Sequence, residues 1–249
     1  MMISFGFILP MHSVVMNNYG CEKMNSSNSF TLPRTGKILK NRTVLAAMTN
    51  KQSYEDGILS EEEKKWLIRR AKGDFAITTT AATNVTEHGR GWVGEMGVWG
   101  DHQIPELTNL ATQLTETGTI SLAQLFHGGM RAPQSINGVQ PISASVNTEP
   151  GMDGIYTRSL ENHEIIAMIK SFTDAAIRCQ KAGFDGVELH GAHSYLICQF
   201  LGDITNRRED EWGGDLEGRS KFLTEIIKSV RKAVGSESVS YTHLRAHET

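Results

Sequence analysis

The sequence predicts an α/β fold of the TIM (β/α)8 barrel family, with this chain covering about the first four β/α units. Three observations predict it. Short β-branched and apolar runs take turns with amphipathic stretches of helical length, and that order means parallel strands joined by crossover helices. Polar residues gather just after the apolar runs: Thr49, then Gln124 and His127, then His190 and His193. Barrels keep their chemistry at those C-terminal strand ends. The competing open sheet that binds dinucleotides would want G-x-G-x-x-G after its first strand, whereas "TNKQSY" follows here and holds no glycine.

The elements follow in order. "TVLAAM" (43–48) reads as strand one, and "SEEEKKWLIRRA" (60–71) as a helix that Ser60 and Glu63 open at capping-box spacing and Gly73 closes. "FAITTT" (75–80) is strand two, with "TTTAAT" (78–83) taken as its end. A helix over about 103–117 puts Leu107, Leu110, Ala111 and Leu114 on one face, and "TISLAQL" (119–125) is strand three. A Gly-, Pro- and Ser-rich loop covers 127–158. The helix over about 160–182 aligns Ile165, Met168, Ile169, Phe172, Ala176 and Cys179, and "GVELH" (186–190) is strand four. A last helix carries Phe222, Leu223, Ile226, Ile227, Val230 and Val234.

Composition bounds the function. The chain has 249 residues and a formal net charge of −3, with 25 basic against 28 acidic side chains. That balance gives no electrostatic reason to expect nucleic acid or an anionic membrane as partner. Three scattered cysteines, Cys21, Cys179 and Cys198, suggest free thiols in a reducing compartment and a cytoplasmic protein. No apolar run approaches the roughly 20 residues of a membrane helix. The opening "MMISFGFILP" lacks a basic start and a cleavage site, so a secretory signal is a weak reading. Residues 1–28 are expected to be a disordered extension or the product of a misplaced start codon, since "MNSSNSF" from Met24 reads as a natural start.

The chemistry concentrates in "HGAHSYL" (190–196), inside "GFDGVELHGAHSYLICQFLGDITNRREDEWGGDLEGRSKFL". Two histidines three apart are followed by a tyrosine at the end of a strand. This stretch resembles the old yellow enzyme family of FMN-dependent NAD(P)H oxidoreductases, whose strand-four signature is H-G-A-H-x-Y-L, then Q-F-L and T-N-R-R-x-D-x-[YW]-G-G. "LKNRTVLAAMTN" (39–50), "AQLFHGGMRA" (123–132) and "QPISAS" (140–145) resemble the family's first strand, third strand and following loop. The resemblance runs from about Phe30 to Gly235, within a partial flavin-binding barrel domain over 29–237.

The resemblance implies FMN as cofactor and NAD(P)H as reductant. It implies Ala46, Ala47, Met48 and Thr49 along the flavin ring, Ala81 where a small residue lets the ring approach, and Gln124 reading the pyrimidine edge. Family members usually carry proline where this chain has Ala47, which loosens that contact. It implies that His190 and His193 donate hydrogen bonds to a substrate oxygen, which is oxyanion-hole logic, and that Tyr195 acts as general acid. The implied partner is a small electrophilic alkene or carbonyl-conjugated substrate, and a homo-oligomer is compatible with it. No metal is implied.

Blander readings stand beside these. The H-x-x-H pair is a zinc half-site in a metal-dependent barrel hydrolase, but no third ligand of known spacing appears. His127 reads either as a flavin-site residue or as a strand-end histidine bonded to backbone, with the structural role preferred. "TNRREDEWGG" reads as a salt-bridged loop bracing the barrel, since its acids and bases balance, rather than as a phosphate binder. The tail "VSYTHLRAHET" is polar where a buried parallel strand should be nearly continuously apolar. The expectation is therefore a non-native tail over 238–249. With it comes a fragment that cannot hold FMN, because barrels build the phosphate site after strands seven and eight.

Overall fold

The computed structural model describes residues 25–149 and 154–236 and the backbone of 239–243. Its centre is a five-stranded parallel sheet. The strands are β1 (Val44–Leu45), β2 (Ile77–Asn84), β3 (Ile120–Phe126), β4 (Gly186–His190) and β5 (Val239–His243), and they lie side by side in chain order. Unbroken sequential order is what barrel closure requires, whereas a doubly wound sheet reverses direction at its switch point. Helices α1 (Glu61–Lys72), α2 (Ile104–Glu116), α3 (Asn162–Ala182) and α5 (Leu216–Val234) make the crossovers, and a short α4 (Leu196–Leu201) follows β4.

The strands show the period-two alternation that makes two faces. Ala123, Leu125, Val187 and Leu189 point to the helices and join Leu107, Leu110, Ile165, Phe172 and Phe222 in the main core. Ile120 and Leu122 point the other way and pack with Ile77, Ala76 and Leu39. A short hairpin of Phe30–Thr31 and Ile38–Leu39 adds Phe30 and Leu32 to that second cluster. Continuing the alternation, Gln124, Glu188 and His190 share the inner face with Ile120 and Leu122. The inner face is thus apolar at its N-terminal end and polar towards its C-terminal end.

Several elements differ from the sequence reading. Strand one pairs only through Val44 and Leu45, and residues 46–50 run on outside the ladder. "TTTAAT" is the interior of β2, not its end, and the register of β2 on β3 shifts between Thr79 and Ala82. There the Ala81 carbonyl accepts from the hydroxyls of Thr80 (2.8 Å) and Thr83 (3.0 Å). These bonds stabilise a bulge that no glycine announces. Ser60 caps α1 by accepting from the Glu63 N–H at 3.1 Å, yet the Glu63 side chain instead accepts from Ser53 Oγ at 2.6 Å. Half the expected capping box therefore forms.

The tail departs most. The sequence reading leaves Val239 and Tyr241 out of the sheet, yet the backbone of Val239–His243 pairs with β4, from Gly186↔Val239 to His190↔His243. Ladder bonds belong to the backbone, so an unpaired strand edge accepts a polar segment that the buried-strand pattern would reject. Residues 244–249 and 1–24 lie outside the described residues. Of the expected N-terminal extension, Asn25–Asn28 form a turn, and Ser26 accepts from the Arg42 N–H at 2.8 Å. Arg207 and Arg208 brace the 142–160 segment. Arg208 Nη1 donates to the carbonyls of Ala144 (3.0 Å) and Leu160 (2.7 Å), and Arg207 Nη1 to Asn147 Oδ1 at 3.0 Å. Among the described residues no helix is long and apolar enough to cross a membrane.

Candidate active site at the C-terminal rim

β4 ends in His190, and the chain then turns through two consecutive left-handed residues, His193 (φ 56°) and Ser194 (φ 58°). Non-glycine residues avoid this region, and each costs of order 1–3 kcal/mol unless its surroundings impose it. Here they do. Arg131 Nη1 donates to the His193 carbonyl at 2.9 Å, and Gln199 Nε2 donates to the Ser194 carbonyl at 2.6 Å. Gln199 is fully buried, and its Oε1 accepts from the Met130 N–H (3.1 Å) and Ser143 Oγ (2.8 Å). One amide thus ties the loops after β3 and β4 together. The sequence reading missed it, although a glutamine inside the apolar run "LICQFL" was the available signal.

The turn brings His190, His193 and Tyr195 together. His193 Nδ1 lies 3.3 Å from His190 Nε2, and the Tyr195 ring stands edge-on to His190 with centroids 4.9 Å apart. His190 Nδ1 accepts from the Ala192 N–H at 3.3 Å, which leaves the proton of the neutral ring on Nε2. Phe126, from the end of β3, backs the tyrosine with centroids 4.4 Å apart. His190 is buried, Tyr195 half-buried and His193 exposed. The cluster therefore opens at His193.

Electrostatics favour a protonated tyrosine. Burial pushes the Tyr195 hydroxyl above its ordinary value, against the pull of the Arg131 charge. The Arg131 guanidinium carbon sits 5.3 Å from the Tyr195 ring centroid. Its Nε lies 3.2 Å from Glu149 Oε1, within ion-pair reach but not aligned as a hydrogen bond. Burial also pushes the nearby Glu95 carboxyl well above the usual carboxylate range.

The cofactor candidates occupy the same end of the sheet. Gln124 pairs with Ala82 on one side and Glu188 on the other, and its Nε2 donates to Glu188 Oε1 at 2.8 Å. Ala81 is buried at the bulge. Of the residues that leave β1, Ala46 and Thr49 are exposed and Ala47 and Met48 half-buried. These features fit a flat heteroaromatic ring. Small side chains allow close approach, the 46–49 backbone lies outside the ladder, and Gln124 Oε1 accepts no hydrogen bond among the described residues. Glu188 was also missed, although its place two residues before His190 on a strand marks it as sharing that face. His127 is bonded to backbone, as one of the two readings of its position has it. Its Nδ1 accepts from the Gly129 N–H at 3.0 Å, and burial pushes it down to about 3. Cys179 and Cys198 are free thiols. Among the described residues no three His, Cys, Asp or Glu side chains gather as a metal site.

Sequential parallel strands with paired histidines, a tyrosine and a buried amide at the C-terminal rim are the arrangement of an α/β barrel of the TIM type, which carries its sites at that rim. Residues 34–245 match the model of the NADH:flavin oxidoreductase / NADH oxidase family, and the chain belongs to that family. It is 36% identical over 205 residues to the probable NADH-dependent flavin oxidoreductase YqiG of Bacillus subtilis, covering 82% of this chain and 55% of that protein. The fold is similar to a 2-naphthoyl-CoA reductase in complex with 2-naphthoyl-CoA (TM-score 0.83, 29% identity, 88% of this chain, 35% of that one). It is also similar to the old yellow enzyme homologue of Zymomonas mobilis (TM-score 0.80, 28% identity, 87% of this chain, 62% of that one). The chain thus spans about half the length of the Bacillus relative, and its architecture is that of the old yellow enzyme barrels.

Proposed function

We propose that this chain carries the substrate-binding rim of an FMN-dependent NAD(P)H oxidoreductase of ene-reductase type, which reduces an activated C=C bond. The observation that carries this reading is the His190–His193–Tyr195 cluster, held by a strained turn above the strand that faces Gln124. When bound, FMN supplies the hydride equivalents taken from NAD(P)H. His190 and His193 donate hydrogen bonds to the carbonyl or nitro oxygen of the substrate and stabilise the charge that develops there. Tyr195 holds a proton at its hydroxyl for the substrate α-carbon, and its raised pKa keeps that proton in place at neutral pH. Gln124, Ala81 and residues Ala46 to Thr49 would hold the ring. Family membership supports the reading, as does a similar reductase complexed with a conjugated aryl thioester.

The test is spectroscopic. The 249-residue chain and a barrel-length counterpart are purified side by side and examined for flavin absorbance. Absorbance that bleaches with NADH or NADPH and returns with an enone is expected of the barrel-length protein. A colourless barrel-length protein that binds no added FMN contradicts the reading.

A further inference from the structure

We propose that Glu188 is a positioning residue for flavin recognition, fixing the Gln124 amide so that its carbonyl oxygen meets the N–H of the flavin's pyrimidine ring. The inference rests on the flavin reading above and deepens it. Glu188 and Gln124 are register partners on β4 and β3, and both are buried on the inner face, 6% and 5% exposed. Their side chains meet at 2.8 Å, with Gln124 Nε2 as donor.

A side-chain amide has two ends of opposite character and nearly equal shape, so packing alone does not decide which end points where. A carboxylate decides it. When ionised it only accepts, so it holds the amide NH2 and repels the amide oxygen. Oε1 is thereby turned to the other side of the amide, where it accepts nothing among the described residues. The backbone of Gln124 leaves the side chain as the recognition group, because its N–H is already taken by Thr80 Oγ1 at 3.1 Å. A flavin pyrimidine ring presents one N–H between two carbonyls, and an oriented acceptor is what selects it. Burial pushes the Glu188 carboxyl up to about 7, with the Gln124 N–H pulling it back. The orientation argued here belongs to the ionised form, so the test is run at alkaline pH.

A barrel-length protein that carries this segment is stripped of flavin and titrated at about pH 8.5, above the raised carboxyl value. The titrants are FMN and N3-methyl-FMN, which lacks the N–H, and binding is followed by flavin fluorescence. Loss of one oriented hydrogen bond corresponds to roughly three- to tenfold in affinity. Glu188→Leu should therefore reduce the preference for FMN over the methylated analogue by that factor. Glu188→Gln, whose amide can meet Gln124 with either its acceptor or its donor end, should reduce it by less than Glu188→Leu. Glu188→Ser serves the same comparison if the leucine variant does not fold. Equal weakening of both flavins overturns the positioning role while leaving the flavin reading intact. A wild-type protein that binds neither overturns both. In the flavin-free protein, the 15N side-chain resonance of Gln124 should show a protected Nε2 proton that disappears in Glu188→Leu or Glu188→Ser. A resonance unmoved by both substitutions also overturns the proposal.

Discussion

His127 and His190 end neighbouring strands, and their rings begin alike. Each uses Nδ1 to accept the backbone N–H two residues on, Gly129 at 3.0 Å and Ala192 at 3.3 Å. The rings part at Nε2. His127 packs on Gly89 so closely that a methyl group there would stand 2.6 Å from Nε2, and burial holds the ring neutral with a pKa of about 3. His190 Nε2 instead meets His193 Nδ1 at 3.3 Å, with Tyr195 alongside. A strand-end histidine is therefore not yet a site. It becomes one where the next turn swings further proton-bearing groups against it, and the left-handed pair His193–Ser194 does this after β4 only.

The sharpest way to break this comparison is through the tyrosine. Tyr195→Phe in the flavin-loaded enzyme should slow reoxidation by an enone by roughly 10²–10⁴ if proton transfer contributes as usual, with flavin reduction by NAD(P)H little affected. Stopped-flow measurement of the two half-reactions separates these, and an equal fall in both would assign Tyr195 a structural role. Next comes the pair itself. His190→Ala or His193→Ala should each cost about 10²–10³ in the same reoxidation step.

The structural histidine is tested through stability. Gly89→Ala forces a Cβ to within 2.4 Å of the His127 ring. It should lower unfolding stability by about 1–3 kcal/mol in urea titrations, and an unchanged midpoint would mean that the packing is not as described. The smallest effect is in pH. His127 has a folded pKa of about 3, below the usual 6.5, so the unfolded chain binds the extra proton. The neutral ring's contribution is therefore complete above about 6.5 and is lost as pH falls towards 3. Glu188, raised to about 7, slopes the other way between about 4.5 and 7. The prediction is accordingly a difference: His127→Gln should lose less stability than wild type between pH 6.5 and 4.

Much of this was legible in the sequence because the core obeys simple periods. Leu107, Leu110, Ala111 and Leu114 are all buried as the helical spacing requires, and the α3 expectation of 160–182 meets Asn162–Ala182. Ile227 was counted on the buried face of α5 yet is 37% exposed, because the apolar stripe there is wider than the contact it makes. The histidines and tyrosine were readable as a motif. Their support was not. Gln199, Arg131 and Glu188 act through partners 56 to 71 residues away in the chain, and no local pattern encodes such pairings. The bulge at Thr80–Ala81 rests on hydroxyl bonds to a carbonyl, and the left-handed turn rests on two distant donors. In neither place does a glycine occupy the irregular positions themselves. The pairing of Val239–His243 escapes the sequence pattern because side-chain pattern reports burial, whereas pairing is a property of the backbone.

The measurement that bears most directly on the central claim is phenol binding to the flavin-loaded enzyme, since a phenolic oxygen mimics the polarised oxygen of the substrate. Affinity is compared in wild type, His190→Ala, His193→Ala and a His127 variant chosen to stay folded, such as His127→Gln. The account predicts that affinity falls in the His190 and His193 variants and holds in the His127 variant. Unchanged affinity in both of the former, or an equal fall in all three, would contradict it.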